Sequence, residues 1–297
     1  IKSEPSLVTG PSSHVKFNTA STRVIIGAPW KYEFSKYEWV WGGWEVVDLK
    51  KTNEGLLLSA NNRIEGFDNR KLEVNTVNYL FDGKSLDGWE IKIAGYDLND
   101  NYNNTYVVED ESIVVSYDSY DTFDEKDGNI FYTKKKFKNY HLKLEYKFYG
   151  DHIRDGDWSF RNSGVMLHSE DPYKIFKDQR VPVSIEAQFL GGLENRADGI
   201  STTLNMCSPG TDVDINGTIA PNHCMRSSSK VFPINEWVGI DIIVYSDSIV
   251  HHIIERDTVM TYTNIRYAND NYYSENFKDM IGKPLKEGYI ALQSEGH

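Results

Sequence analysis

Short runs of alternating apolar and polar residues, separated by polar turns, dominate the chain from Val77 onward. A period of two residues is typical of a β-strand that buries one face. No segment shows an apolar stripe with helical spacing sustained over three turns. Many short strands without helices predict an all-β sandwich or barrel, and their number predicts a jelly roll. The clearest predicted strands are Gly128–Thr133, His141–Phe148, Gly164–His168, Val183–Phe189, Trp237–Val244 and Gly288–Gln293.

Residues 1–75 have a different character, and we predict a domain boundary after them. The segment Ile1–Thr22 is polar, and Trp30–Trp44 holds four of the seven tryptophans. Those tryptophans are either a stacking platform for sugar rings or, the interpretation we favour, bulk for strands and core. We therefore expect an aromatic-rich extension at 1–75, packed on the domain at 76–297 or adding strands to it.

The composition narrows the classes of partner. Aromatic residues make up 13% of the chain, with 19 Tyr, which favours strands. The net charge of −12 argues against nucleic acid and anionic lipid, since a phosphate backbone selects a basic face. No apolar run approaches the ~18 residues that a membrane span needs. Neutral ligands such as sugars fit this charge, and we expect any signal peptide to have been removed before Ile1.

Two cysteines, Cys207 and Cys224, flank a polar loop of 16 residues. A disulfide between them would order this loop and would place the protein in an oxidising compartment, secreted or periplasmic. Zinc is the alternative, but only His223 lies nearby to add a ligand. We therefore predict a disulfide.

Strand alternation also sorts the polar side chains by face. In the predicted strand that ends at Phe189, the apolar residues share one face, so Glu186 and Gln188 share the other. The same rule places His168 opposite the apolar face of its own strand. If these strands are neighbours, one concave face collects the polar set Glu186, Gln188, Gln293, His168 and His297.

Four segments, in order along the chain, resemble the 3-keto-disaccharide hydrolase family. They are the Leu-Phe-Asp-Gly run Leu80–Trp89, the Arg-Asn-Ser-Gly run Phe160–His168, the Glu-x-Gln run Pro182–Gln188 and the closing run Gly288–His297. The resemblance implies a concanavalin- or laminarinase-like jelly-roll β-sandwich, and the two cysteines resemble those of a paired-cysteine subgroup. Family members continue with one more strand near a Phe-Arg-x-Ile run. Here we expect that strand to be disordered, missing or replaced by the N-terminal segment.

The resemblance also implies an activity: cleavage of the glycosidic bond in a sugar already oxidised to a ketone at C3. The ketone acidifies the hydrogen on C2, so a modest base removes it, the enolate expels the aglycone from C1, and water adds back. Such a route needs one base, one acid and donors that hold the enolate oxygen. We expect Glu186 or His168 as base and His297 as acid. We expect the sugar to be bound by Arg161, Asn162, Gln188 and Gln293.

Two other classes of function remain open. A conventional glycoside hydrolase needs two carboxylates roughly 5–10 Å apart, for which the sequence offers Glu186 and, less clearly, Glu295. A non-catalytic carbohydrate-binding module would need no acid–base pair. The Glu-x-Asp-x-x-Glu string of laminarinase-type enzymes is absent from the sequence.

The candidates also have purely structural interpretations. Glu186 would be a solvent-facing carboxylate and His168 a satisfied structural histidine. Arg161 would pair with Asp155 or Asp157. The run Asp212–Gly217 matches half of a calcium loop, but position twelve is His223 instead of Glu. Because such runs more often form hairpin turns, we expect no cofactor, with calcium here as the alternative.

Overall fold

The computed structural model of the protein describes residues 78–123, 125–150, 161–192, 202–272 and 274–296. It also describes the backbone of three short N-terminal strands, at 14–18, 51–52 and 55–56. The tryptophan-rich segment 30–44, both aspartates proposed as partners of Arg161, and His297 lie outside the described residues.

One large sheet contains nine strands, and all neighbours within it run antiparallel. Its spatial order is β13 (Thr218–Ile219), β12 (Thr211–Ile215), β17 (Asp257–Tyr267), β16 (Ile249–Ile254), β15 (Val238–Tyr245), β8 (Asn139–Tyr149), β1 (His14–Asn18), β6 (Ser112–Ser116) and β5 (Tyr106–Glu109).

A second large sheet contains seven strands, again antiparallel throughout. Its spatial order is β14 (Cys224–Met225), β11 (Asn205–Cys207), β10 (Ile185–Leu190), β9 (Asn162–Ser169), β18 (Gly288–Ser294), β7 (Gly128–Phe137) and β4 (Trp89–Ile93).

Internal contacts divide the chain into two compact units. Residues 1–20 and 80–297 form the larger unit, which holds both large sheets, and residues 21–79 form the smaller one. In the smaller unit, β2 (Lys51–Thr52) pairs with β3 (Gly55–Leu56). The domain boundary at residue 76 stays a prediction.

The prediction of an all-β jelly-roll sandwich is confirmed, and every strand expected from alternation is present. Across the described part of the chain, the only helical segments are two 3-10 turns, Tyr102–Asn104 and Glu275–Met280. No helix among those residues combines the length and the apolar character that a membrane crossing requires.

The main core lies between the two large sheets. β15 shows the alternation clearly, because Val238, Ile240, Ile242 and Val244 are buried while the residues between them are more exposed. The seven-stranded sheet sends Val165, Leu167, Ile185, Ala187 and Phe189 into the same core.

The N-terminal segment supplies an interior strand to the nine-stranded sheet. Val15 of β1 lies opposite Val115 on one side and Phe148 on the other. Of the two arrangements expected for the first 75 residues, the structure thus shows extra strands for this part.

The seven-stranded sheet is covered on its other side as well, which we call the outer face. There Ile175 and Val181 pack on Phe131, Met166 and Ala291. Both belong to the loop 170–183, which we call the covering loop. The covering loop lies across part of the outer face and so limits where a ligand reaches the sheet.

Candidate functional site

Glu186 lies on the outer face of β10, as alternation predicts. Its neighbour on β10, Ala187, is part of the core between the sheets. The carboxylate is 5% exposed and lies over Gly164 of β9: a methyl group at Gly164 would stand 2.7 Å from Glu186 Oε1. Only a residue without a side chain leaves room for the carboxylate at that point.

Burial makes the Glu186 carboxyl a strong proton acceptor. The pKa of Glu186 is raised well above its usual range, first by burial and then by the negative charge of Glu295. No described residue donates a hydrogen bond to Oε1. A buried acceptor without a donor is costly, so this oxygen is set up to take a proton or to accept from a ligand.

Glu295 follows directly after β18 and is held in place from two directions. Asn162 Nδ2 donates to Glu295 Oε2 at 2.6 Å. The next backbone amide, that of Gly296, donates to the Tyr117 hydroxyl at 2.8 Å. Asn162 Nδ2 is thus bound to Glu295, whereas no described residue donates a hydrogen bond to Asn162 Oδ1.

Two further amides lie side by side on the outer face. Gln293 of β18 is directly opposite Asn129 of β7, and both are buried. Neither side-chain oxygen has a donor among the described residues. Gln188, two residues beyond Glu186 on the same face, accepts a hydrogen bond from Asn205 Nδ2 at 3.2 Å. Gln188, Asn162 and Gln293 thus belong to the Glu186 side of the sheet.

Arg180 of the covering loop brings a positive charge to this region. Its Nε donates to the buried Asp127 carboxylate at 2.5 Å, and its charge also interacts with Glu295. Sequence reasoning missed Arg180, because nothing in the local pattern shows that its loop crosses the outer face.

The disulfide between Cys207 and Cys224 is confirmed, with an S–S distance of 2.01 Å. Cys207 is directly opposite Glu186 across β10 and β11, so the bridge borders the carboxylate site. His223 has a ring nitrogen within 4.8 Å of the sulfurs. This is the set considered for zinc, but its sulfurs form a disulfide and are not thiolates.

The prediction that His168 shares a face with Glu186 is wrong. Its Nε2 donates to the Ser246 carbonyl at 3.2 Å, and its ring packs edge-on to Tyr140, 5.8 Å away. Tyr140 belongs to β8 of the nine-stranded sheet, and Ser246 directly follows β15 of the same sheet. The reason is local: His168 has a left-handed backbone, with φ of 49°, beside a register shift between β18 and β9. Such a bulge breaks alternation and turns the side chain inward.

Arg161 is likewise not brought to Glu186. It precedes β9 and donates from Nη2 to the Gly150 carbonyl at the end of β8, at 2.6 Å. The Gly150 carbonyl thus holds this guanidinium, and the role of Arg161 in substrate binding stays a prediction. His297, the candidate acid, lies outside the described residues.

The calcium-like run Asp212–Gly217 forms the hairpin between β12 and β13. Both carboxylate oxygens of Asp214 already accept hydrogen bonds, from Arg266 at 2.9 Å and from Asn264 at 2.8 Å. The segment is therefore organised by protein contacts as a hairpin turn.

These features define a jelly-roll β-sandwich that carries buried carboxylates and amides on the outer face of one sheet. Residues 76–297 match the family model described as the 3-keto-alpha-glucoside-1,2-lyase-like domain. The match covers most of the chain, so the chain belongs to this family, as its motifs predict. A comparison with curated proteins gives no match.

Proposed function

We propose that the protein cleaves the glycosidic bond of 3-keto sugars by elimination followed by hydration. The observation that carries the proposal is Glu186, a buried carboxyl with an oxygen that no described residue donates to. Membership in a family described by 3-keto-α-glucoside lyase chemistry supports the same reaction. The disulfide is typical of proteins in oxidising compartments, which supports a secreted or periplasmic location.

The reaction assigns each group a task. Glu186 takes the proton from C2, and the electron pair of that C–H bond forms the enolate with the C3 ketone. The C1–O bond then breaks, and the leaving oxygen takes a proton from an acid, for which His297 remains our candidate. Water adds across the new double bond, which returns a proton to C2. Burial raises the pKa of Glu186, which makes its ionised carboxylate a stronger base for this proton.

Binding is proposed to come from the amides of the outer face. Asn162, Gln188 and Gln293 lie on the same side of the sheet as Glu186, Asn162 donates to Glu295, and their polar atoms suit sugar hydroxyl groups. Arg180 is proposed as a further positive charge that stabilises the enolate oxygen, because its charge interacts with Glu295.

A conventional glycoside hydrolase is the second candidate, and one observation favours it. Burial and then the charge of Glu295 raise the pKa of Glu186, so the two carboxyls interact electrostatically, as a catalytic pair would. In that mechanism Glu186 would be the protonated acid, and Glu295 the base or nucleophile.

The test compares a 3-keto glycoside with the matching plain glycoside. We expect the wild-type protein to cleave the keto form much faster, and Glu186→Gln to lower that rate by about 10²- to 10⁴-fold, the usual cost of losing a general base. Glu255→Gln, a change at an exposed carboxylate that pairs with Lys230, is the control and should keep full activity.

Other outcomes separate the candidates. Equal cleavage of both glycosides, with loss of activity in Glu295→Gln, would favour a conventional hydrolase. Binding without any cleavage would favour a carbohydrate-binding module. An unchanged rate in Glu186→Gln would remove Glu186 as the base.

A further inference from the structure

Tyr272 forms an aromatic platform beside the candidate site. Its ring stacks almost parallel on the ring of His223, with centroids 4.5 Å apart and planes 18° apart. Tyr272 is nevertheless 38% exposed. One ring face is therefore covered by protein, while the residue keeps substantial surface for a ligand.

The platform is fixed to the strand that carries Glu186. Asp270 accepts hydrogen bonds from the backbone amides of Tyr272, at 2.8 Å, and Gly210, at 3.1 Å. The carbonyl of Pro209 in turn accepts from the Ser184 amide, two residues before Glu186. On the other side, His223 is held by the disulfide, since it precedes Cys224. The stacked rings are thus held on both sides.

The charges of both candidate carboxylates act on Tyr272. The pKa of Tyr272 is raised by burial first, and then by the negative charges of Glu295 and Glu186. The contacts connect the same two residues: Tyr272 stacks on His223, which precedes Cys224, and the disulfide partner Cys207 lies directly opposite Glu186. We therefore expect a ligand bound against Glu186 to have Tyr272 as a neighbour.

We propose that Tyr272 is the stacking platform for the ring attached to the cleaved bond, and so selects glycosides whose aglycone is a second sugar or an aryl ring. The C–H faces of such rings are apolar and pack flat on an aromatic side chain. His223 covers one face of Tyr272, and the proposal places the ligand ring on the other face. The position of the ring relative to the cleaved bond rests on the proposed function, but the selection of two-ring ligands does not.

The experiment measures equilibrium binding in a Glu186→Gln background, which prevents turnover. The probes are a 3-keto disaccharide and the methyl glycoside of the same keto sugar. We expect Tyr272→Ala to weaken disaccharide binding about tenfold, from the lost burial of one ring face, and to leave methyl glycoside binding within about twofold. Tyr272→Phe should keep wild-type binding of both, since the hydroxyl is not needed for stacking.

Tyr173→Ala is the matched control. Tyr173 is also an exposed tyrosine, 61% exposed. Its hydroxyl donates to Glu90 of β4 and not to Glu186 or Glu295. Its replacement should change neither affinity. Equal weakening of both ligands by Tyr272→Ala, or no weakening of either, would overturn the proposal.

The same binding series is run with the plain disaccharide and plain methyl glycoside. Selective loss of the disaccharide in that series supports the platform even if the wild-type protein fails to cleave keto sugars. Conversely, keto-specific cleavage with no effect of Tyr272→Ala would uphold the reaction and remove the platform. The two proposals therefore fail separately.

Discussion

At the residue scale, the site depends on one glycine that leaves space for the side chain of one carboxylate. Gly164 belongs to the Arg-Asn-Ser-Gly run, and Glu186 to the Glu-x-Gln run, of adjacent strands. A Cβ at Gly164 would meet Glu186 Oε1 at 2.7 Å and the Ala187 carbonyl at 3.0 Å. The two motifs are thus one structural unit, in which the first makes room for the second.

Replacing Gly164 by alanine is expected to displace the Glu186 carboxylate. We predict a fall in kcat on the order of 10²-fold on a 3-keto glycoside, because small misplacements of a reacting group cost about that much. Overpacking should also lower the free energy of unfolding by about 1–3 kcal/mol. Kinetics and urea unfolding of the purified variant measure the two effects.

Gly239→Ala is the control for this change. Gly239 lies in β15, and the nearest atoms to a new methyl group there would be 3.8 Å away, an ordinary contact. Its activity should match wild type. Equal activity of the Gly164 and Gly239 variants would show that Glu186 does not need its present position.

Residues also show where sequence reasoning works and where it stops. Alternation places Glu186 and Gln188 on the outer face because β10 pairs in unbroken register, and Gln293 lies beyond the register shifts near the start of β18. His168 was misplaced because a single bulge reverses that rule. Tyr272 carries no local signal at all, since its role follows from contacts with a histidine 49 positions earlier in the chain.

At the element scale, Glu170 fastens the covering loop to the sheet. It directly follows β9 and is 6% exposed. Its carboxylate accepts hydrogen bonds from the Val183 amide, at 2.8 Å, and from the Gln179 side chain. Both ends of the loop are joined there, which also fixes Arg180 between them.

Glu170 should make the stability of the fold depend on pH. Burial raises the pKa of Glu170 to about 7, from a usual value near 4.5. Between these values the unfolded chain releases the proton while the folded protein keeps it, so stability is highest below about pH 4.5 and falls as pH rises through about 7. The shift corresponds to about 3 kcal/mol.

Glu170→Gln mimics the protonated acid and should remove this dependence. We expect wild type and variant to unfold alike near about pH 4, and the variant to be more stable by about 3 kcal/mol near about pH 9. Comparing the two proteins cancels the parallel contribution of Glu186. Urea unfolding at several pH values measures the difference in stability between wild type and Glu170→Gln. Glu255→Gln, a change at an exposed carboxylate, is the control, and its stability should depend on pH as that of wild type does. A stability difference between the two proteins that stays constant at all pH values would contradict this role of Glu170.

At the scale of the whole molecule, the sequence predicts the layers but not their order. Period-two patterns reveal strands wherever one face is buried, which is why the all-β class and each clear strand were predictable. Strand order depends on long-range pairing, and no local pattern encodes that β1 lies between β8 and β6. The Tyr146 ring, stacked on Phe189 with centroids 4.1 Å apart, likewise joins the two sheets through residues 43 positions apart.

The position of β1 leads to a prediction about the N-terminus. β1 pairs on both sides, so its loss would leave two open edges inside the nine-stranded sheet. Proline has no amide hydrogen and is excluded from central strands. We therefore expect Val15→Pro to lower the free energy of unfolding by at least about 3 kcal/mol, and removal of residues 1–20 to do so at least as strongly.

The matched control is a proline in a strand with only one neighbour. Ile219→Pro changes β13, at the edge of the same sheet, where the Ile219 side chain is 54% exposed. The backbone amide of the next residue, Ala220, makes the bond to the Val213 carbonyl, so the Ile219 amide points away from the sheet. Ile219→Pro should cost less than about 1 kcal/mol, as edge positions accept proline. Guanidinium unfolding measures the free energy of unfolding of both variants. If Val15→Pro loses no more stability than Ile219→Pro, then β1 is not an integral strand of the sandwich.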